Sequence, residues 1–537
     1  MKIQSTISKQ TTLLLITLVS LSTLFLPLTT LRAATLTNGM DAAYVIGQTD
    51  FTSNTATLTQ SGLGAAFDVA YDNTNQLLYV VDNPGLRNNR VLVYDLSGGI
   101  TNGMNASYVL GQDDFISNAT GTDRSSFNGV SSVEVDSANG HVFVGDGGNN
   151  RILVFDVSTS ITNGMDASYV LGQSDFGSSG ATLTQSGIYE ANSMEIVGDN
   201  LYVLDSNYRR ALVFDVSTIV NGENATYVLG QPDFTTSTFT VTGANFTAPL
   251  GLGSGFLDGT PYLFVGESLT GRTLVFDISS LSNGMSASYV LGVADFTSMG
   301  NPLVMDQSSL ALPYGSVLDD NERLFMVDQM AQRIMVYDFS GGIENDMDAS
   351  YVLGRPDFTQ ALPVGPTQST ITDPTQVDYD TTNDYLFAVD GRGRRVLVFD
   401  LSPTLSSSSG SGWNYTHPPL CSAQFSPNTI TKGESTTLSW NTTWPTEREN
   451  NYYTKVPGEG LYSQNVQSLT LQPQHTTEYT IAVFNLWGAN FCSATITVLD
   501  EEGDEVITPQ NSQLTASAAS SNFFRPIVAL FAKLFVR

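Results

Sequence analysis

Tyr108-Val-Leu-Gly-Gln-Asp-Asp-Phe115 returns five more times along the 537-residue chain, from Tyr44, Tyr169, Tyr227, Tyr289 and Tyr351, and every copy keeps the closing Asp-Phe pair. Recurrence at a period of about sixty residues is the mark of a repeat architecture. A second segment, Arg90-Val-Leu-Val-Tyr-Asp95, recurs from Arg151, Arg210, Arg272, Arg333 and Arg395. A third, Leu78-Tyr-Val-Val-Asp82, precedes it each time, at Val142–Asp146, Leu201–Asp205, Leu263–Glu267, Leu324–Asp328 and Leu386–Asp390. With a weaker run near Phe67–Asp72, each unit holds four short β-prone runs separated by turns such as Asp72-Asn-Thr-Asn75.

The Arg-Val-Leu-Val run is apolar at successive positions, which suits a strand covered on both faces. Four strands per unit in six units predict an all-β chain built as a six-bladed β-propeller over residues 38–402. The array opens with a lone Tyr44-Val-Ile-Gly run and closes on Arg395–Asp400 with no such run behind it. The N-terminal copy is therefore expected to complete the last blade, which removes an unpaired edge.

Acidic residues outnumber basic ones 52 to 22, for a net charge of −30. Phosphate backbones repel such a surface, so nucleic acid is excluded as a partner. Lys2 and Lys9, the apolar stretch Leu13 to Leu28 and the small residues Ala33 and Ala34 read as an export signal over residues 1–34, with an uncleaved anchor as the alternative. The chain is accordingly expected to be secreted or displayed at the surface of a bacterial cell. Residues 403–419 are a Ser/Gly-rich linker. Residues 500–521 are acidic and then Ser/Ala-rich, a composition that does not form a core. Residues 522–537 are apolar with Arg525, Lys533 and Arg537 on one helical side; membrane-surface association, a sorting signal and a docking helix all fit them.

The run Asp146-Gly-Gly-Asn-Asn-Arg-Ile-Leu-Val-Phe-Asp156, with its five counterparts, resembles the NHL repeat. The resemblance covers about residues 44–400 and implies a propeller that recognises an extracellular protein or glycan. The chain departs from it by an extra Asn-Gly-Met-Asp-Ala-Ser-type segment in each unit and by a weak fourth unit, where Leu250–Phe256 is Gly-rich and Glu267 replaces Asp. Residues 420–499 carry alternating runs at Thr436–Trp440, Ser468–Leu471, Glu478–Val483 and Ala494–Val498, and Trp440 and Tyr479 among them resemble bacterial immunoglobulin-like sandwiches. The two cysteines, Cys421 and Cys492, bracket this module. An even pair in an exported chain is expected to form a disulfide, two buried thiols being the alternative.

The conspicuous acids are the repeated ones. Asp146, Asp205, Glu267, Asp328 and Asp390 each stand five residues before Arg151, Arg210, Arg272, Arg333 and Arg395, and Asp82 stands eight before Arg90. Six identical pairs cannot all serve one central site, so they are read as structural, orienting the connecting turn. The Asp-Phe pairs at Asp50, Asp114, Asp175, Asp233, Asp295 and Asp357 are read the same way. Residues 38–402 hold no Cys, no Lys and one histidine, His141, which removes cysteine nucleophiles, Schiff-base lysines and His-rich zinc centres. A ligand site is sought where the units disagree near their first strands: Asp68, Asn128, Glu190, Asn192 and Asp373. These side chains also suit Ca²⁺, which takes oxygen ligands. The reading is a non-catalytic exported binding or scaffolding protein without a required cofactor. The alternatives are a calcium-dependent propeller hydrolase or lyase and a structural or adhesive surface component.

Overall fold

Leu77–Asp82 and Arg90–Asp95 pair antiparallel without interruption, from Leu77 opposite Asp95 to Asp82 opposite Arg90. Ala66–Asp72 flanks Leu77–Asp82 and Tyr108–Leu110 flanks Arg90–Asp95, completing a four-stranded sheet. The same order recurs in five further sheets, and the chain is all-β. Numbered along the chain, their first strands are Val130–Asp136, Ala191–Val197, Pro249–Leu257, Pro313–Leu318 and Val377–Asp380. The sixth sheet takes its outer strand from the chain start, with Tyr44 opposite Val398 and Ile46 opposite Val396. The described residues of this computed structural model are 36–402 apart from 84–87 and 360–364, and 420–499 apart from 433, 444–452, 457–459, 464–467, 472–476 and 486–487. The expected export segment 1–34, the linker 403–419 and the segments 500–521 and 522–537 lie outside them.

Burial follows the β-branched and aromatic pattern. Six apolar clusters each fill the space between two successive sheets. One of them joins Leu78, Val80 and Leu92 of the first sheet to Phe387, Val396 and Val398 of the sixth. First strands touch first strands in chain order, and the sixth touches the first. These sheets are arranged as in a β-propeller.

The extra segment of each unit has a mechanical role. Asn102 Oδ1 accepts the N–H of Val45, and Asn163, Asn221, Asn283 and Asn345 do the same for Val109, Val170, Val228 and Val290. Asn38 completes the set by accepting from Val352, 314 residues away. Each Asn thus clasps the outer strand of a preceding sheet, whose free edge needs partners.

The Gly-rich fourth unit has a steric cause. A Cβ on Gly251 would lie 2.3 Å from the Tyr314 carbonyl carbon, and one on Gly253 would lie 2.1 Å from the Ser316 oxygen. The fourth and fifth first strands approach backbone to backbone, and only glycine fits there.

A second compact unit follows the division at residue 405. It holds a three-stranded sheet, Leu420–Ser426, Thr436–Thr443 and Ser468–Leu471, and a five-stranded one that includes Thr477–Asn485 and Gly488–Leu499. Leu438, Trp440, Ile496 and Val498 are buried in it. Leu420–Ser426, Thr429–Thr431, Tyr453–Val456 and Gly460–Ser463 add to the strands read from sequence. Cys421 and Cys492 sit on strands of different sheets, and the expected bridge between their side chains lies outside the described residues. No helix among the described residues is long and apolar enough to cross a membrane.

Candidate functional site

Three populations of carboxylates occupy the six sheets, and local chemistry separates them. The outermost are the Asp-Phe aspartates. Asp50 accepts the N–H groups of Thr52 and Ser53, both at 2.8 Å, and the corresponding aspartates cap the same turn in the other units. These hydrogen bonds hold Asp114, Asp175, Asp233 and Asp295 below the usual carboxylate range.

The second population is buried beside arginine. Asp82–Arg90, Asp146–Arg151, Asp205–Arg210, Glu267–Arg272, Asp328–Arg333 and Asp390–Arg395 are in contact at 2.5 to 3.0 Å, with essentially no exposure. Each guanidinium is shared further. Arg151 donates to the carbonyls of Asp123 and Phe176, and Arg395 to those of Thr370 and Phe51. Phe176 and Phe51 are the phenylalanines of the Asp-Phe pairs, so one arginine ties a sheet's hairpin turn to two loops. The acid in turn accepts from the loop before the first strand, as Asp82 does from Gly64 at 2.8 Å. Burial nonetheless pushes Asp205 up to about 7, against the pull of Arg210.

The third population is not repeated and lies on the first strands. Asp68 Oδ2 accepts the Val133 N–H at 3.0 Å, from the second sheet. Glu134 accepts from the Ile196 N–H of the third sheet, Glu195 accepts from Ser254 Oγ of the fourth at 2.8 Å, and Asp378 accepts from the Tyr71 N–H of the first at 2.6 Å. Each carboxylate therefore caps a group on the next first strand, whose inner edge lacks a strand partner. None has an arginine beside it. Asp68 is buried and the other three are partly buried, and desolvation is the leading cause of the shift in all four. It raises Asp68 and Asp378 to about 7 and Glu195 to about 8. Glu134 goes well up, with Glu195, Asp378 and Asp68 adding repulsion.

Of the five residues singled out in sequence, three share one cavity. Asn128, Glu190 and Asn192 line a space of about 530 Å³ together with Phe67, Asn83 and Asn89. The cavity is built from the first three sheets, by the loops entering their first strands and the turns between their second and third strands. Register shifts at Ala66/Val69, Val130/Ser132 and Ala191/Ser193 place a bulge at the start of each of those first strands. A bulge re-aims side chains, which is how Asn192 comes to face the opening. Asp68 instead lies behind this wall, both oxygens occupied by the N–H groups of Val69 and Val133. Asp373 stands on the sixth sheet, 3.9 Å from Arg392, and burial raises it. Tyr314 lies within electrostatic reach of Asp68, Glu190 and Asp373, and its ring packs edge-on to Phe67 with centroids 6.2 Å apart.

Sequence reading missed Glu134, Glu195 and Asp378. Glu134 and Glu195 stand two residues after the bulges that end at Ser132 and Ser193, visible only once the first strands are set in register, whereas Asp378 lies on a strand that pairs without a register shift. Among the described residues no group of three or more His, Cys, Asp or Glu is placed to hold a metal ion. Glu190, Asn128 and Asn192 are the oxygen donors that a cation entering the cavity would meet.

No family model and no curated protein matches this chain. Solved structures similar to it include an auxiliary nutrient binding protein from Bacteroides thetaiotaomicron, 14% identical over 66% of this chain and 75% of that one, with a TM-score of 0.42. A luciferin-regenerating enzyme is 12% identical over 65% of this chain and 88% of its own, with a TM-score of 0.32. A streptogramin B lyase is 10% identical over 65% and 95%, with a TM-score of 0.36.

Proposed function

We propose that this chain is a non-catalytic, exported recognition protein, whose six sheets are the blades of a closed NHL-type propeller and whose cavity at residues 67–192 receives an extracellular protein or glycan. The observation that carries the reading is the cavity itself. It is where the repeats differ, it is lined by amides, one carboxylate and one aromatic ring, and its polar side chains suit hydroxyl and amide partners. Residues outside it that repeat six times are engaged in structural bonds.

In this reading the second unit is an immunoglobulin-like spacer closed by a Cys421–Cys492 bridge, residues 1–34 direct export, and residues 522–537 hold the molecule near a membrane surface. A thiol titration of the unfolded, unreduced chain should find no reactive sulfhydryl; two would refute the bridge. The binding reading is tested on a glycan and peptide array with the full chain and with N128A/N192A. Ligands retained by the parent and lost by the double variant support it. Ligands unaffected by the double variant place recognition elsewhere and overturn the assignment.

A further inference from the structure

Glu190 occupies the step immediately before the third first strand with φ of +71°. The second sheet makes the same step with Gly129 at +73°. A side chain there costs about 1 to 2 kcal/mol relative to glycine, so glutamate is retained against a local penalty. The Asn207 Nδ2 amide holds one of its oxygens at 2.9 Å and aims the carboxylate, leaving the other oxygen to the cavity.

Two residues further on, Asn192 lines the same cavity, and its Oδ1 is buried without a hydrogen-bond partner in the protein. A buried polar atom without a partner is destabilising by about 1 to 3 kcal/mol unless a ligand or water meets it. Two of the other lining amides are already engaged: Asn83 Nδ2 donates to the Val130 carbonyl at 2.7 Å, and Asn89 Oδ1 accepts from the Gly129 N–H at 2.9 Å. No lysine or arginine stands among the described lining residues. The unmet acceptors of the cavity thus include the Asn192 oxygen and the Glu190 carboxylate, its one acidic group, next to the ring of Phe67.

We propose that this cavity selects ligands bearing a primary ammonium group, with Glu190 as the ion-pair partner, Asn192 Oδ1 as a second acceptor and Phe67 as a face for the adjoining carbon. An ammonium offers three donors and no acceptor, which matches the unmet groups, and an aromatic face beside it adds attraction. The inference rests on the binding reading above and narrows its ligand class. The ammonium has two sources outside a cell, an amino sugar or a lysine side chain, and both present the same group.

The test is calorimetric titration of the full chain with D-glucosamine and with Nα-acetyl-lysine methylamide, each against its N-acetylated, uncharged counterpart. Binding of at least one amine, roughly tenfold tighter than its acetylated form and lowered a further tenfold or more by Glu190→Gln, is the expected result. Which amine binds identifies the source. Asn192→Leu, which keeps the charge, should weaken the same amine several-fold. Thermal melts of both variants check that the fold is retained. Equal binding of acetylated and free forms, or no effect of Glu190→Gln in a folded variant, overturns the ammonium assignment. If neutral glycans bind and N128A/N192A abolishes them, the recognition reading stands while this inference falls; if no array ligand depends on the cavity, both fall.

Discussion

Asp146 and Glu195 are one sheet apart, one buried and the other partly so, and they do opposite work. Asp146 belongs to a set repeated six times, touches Arg151 at 2.7 Å, and accepts a loop N–H at 2.6 Å. Glu195 belongs to a set of four that no repeat rule generates, has no arginine partner, and is bonded by a serine of the next sheet. In the first set an arginine stands against each charge and ties it to several carbonyls, although burial still raises Asp146 and Asp205. In the second, the first strands need acceptors for groups on their inner edges, and carboxylates provide them at the expense of their own ionisation. Acidic residues inside this protein therefore carry no common meaning; the partner decides.

Removing one member of a buried pair should give the largest effect. Arg151→Met leaves Asp146 uncompensated and releases the carbonyls of Asp123 and Phe176. A loss of about 3 to 5 kcal/mol is expected in denaturant unfolding at pH 7. A loss below 1 kcal/mol would erase the distinction between the two sets.

Glu195→Gln keeps the shape and a partner for Ser254 but removes a charge that burial disfavours. The variant should be close to the parent near pH 4.5 and gain on it as pH rises from about 5 to 8, by up to about 1.4 kcal/mol per pH unit, because the unfolded carboxylate ionises in that interval while the folded one keeps its proton. Destabilisation of the size seen with Arg151→Met would show that the inner-strand charge is compensated after all.

The sign of the pH dependence follows from the same groups. Asp68, Asp378 and Glu195 hold protons in the fold up to about 7 to 8, whereas the unfolded chain releases them near their ordinary values of 3.8 and 4.5. The fold binds more protons throughout that interval, so stability declines as pH rises from about 5 through 8. The Asp-Phe aspartates act in the reverse sense, and their contribution disappears only as pH falls below the ordinary aspartate value. Melting followed from pH 4 to 9 should therefore peak in mildly acidic solution. A flat profile between pH 5 and 8 would contradict the burial of the inner set.

The smallest effect belongs to the backbone. Glu190→Gly should raise stability by roughly 1 kcal/mol by removing a side chain from a left-handed conformation, while lowering affinity for any cavity ligand. A stability loss instead would mean that the Asn207 bond, and not a ligand, keeps glutamate there.

How much was legible is best seen strand by strand. The runs starting at Arg90 and Leu78 announce themselves through six co-registered copies, and their apolar continuity already implied burial on both faces. The lone Tyr44 run and the bare end after Asp400 implied the pairing of Tyr44 with Val398, because an unpartnered strand and an unpartnered edge have one economical solution. The first strands were faint: Leu250–Phe256 read as weak, yet Gly251 is where a Cβ would come within 2.3 Å of the neighbouring backbone. Of the cavity's lining, Asn128, Glu190 and Asn192 stood out in the sequence because they break the repeat. Asp68 and Asp373 broke it equally and lie elsewhere.

Local chemistry, repeated, determined the strands, the turns and the acid–arginine staples, since each involves residues that are near in sequence or copied at a constant interval. Which carboxylates meet an arginine and which meet a bare N–H from another sheet depends on contacts such as Asp378 with Tyr71, 307 residues apart. So does the cavity, whose walls come from three sheets and whose unmet acceptor is defined only by what fails to reach it. Periodicity encodes what each unit does for itself; the packing of one sheet on the next decides what they do together.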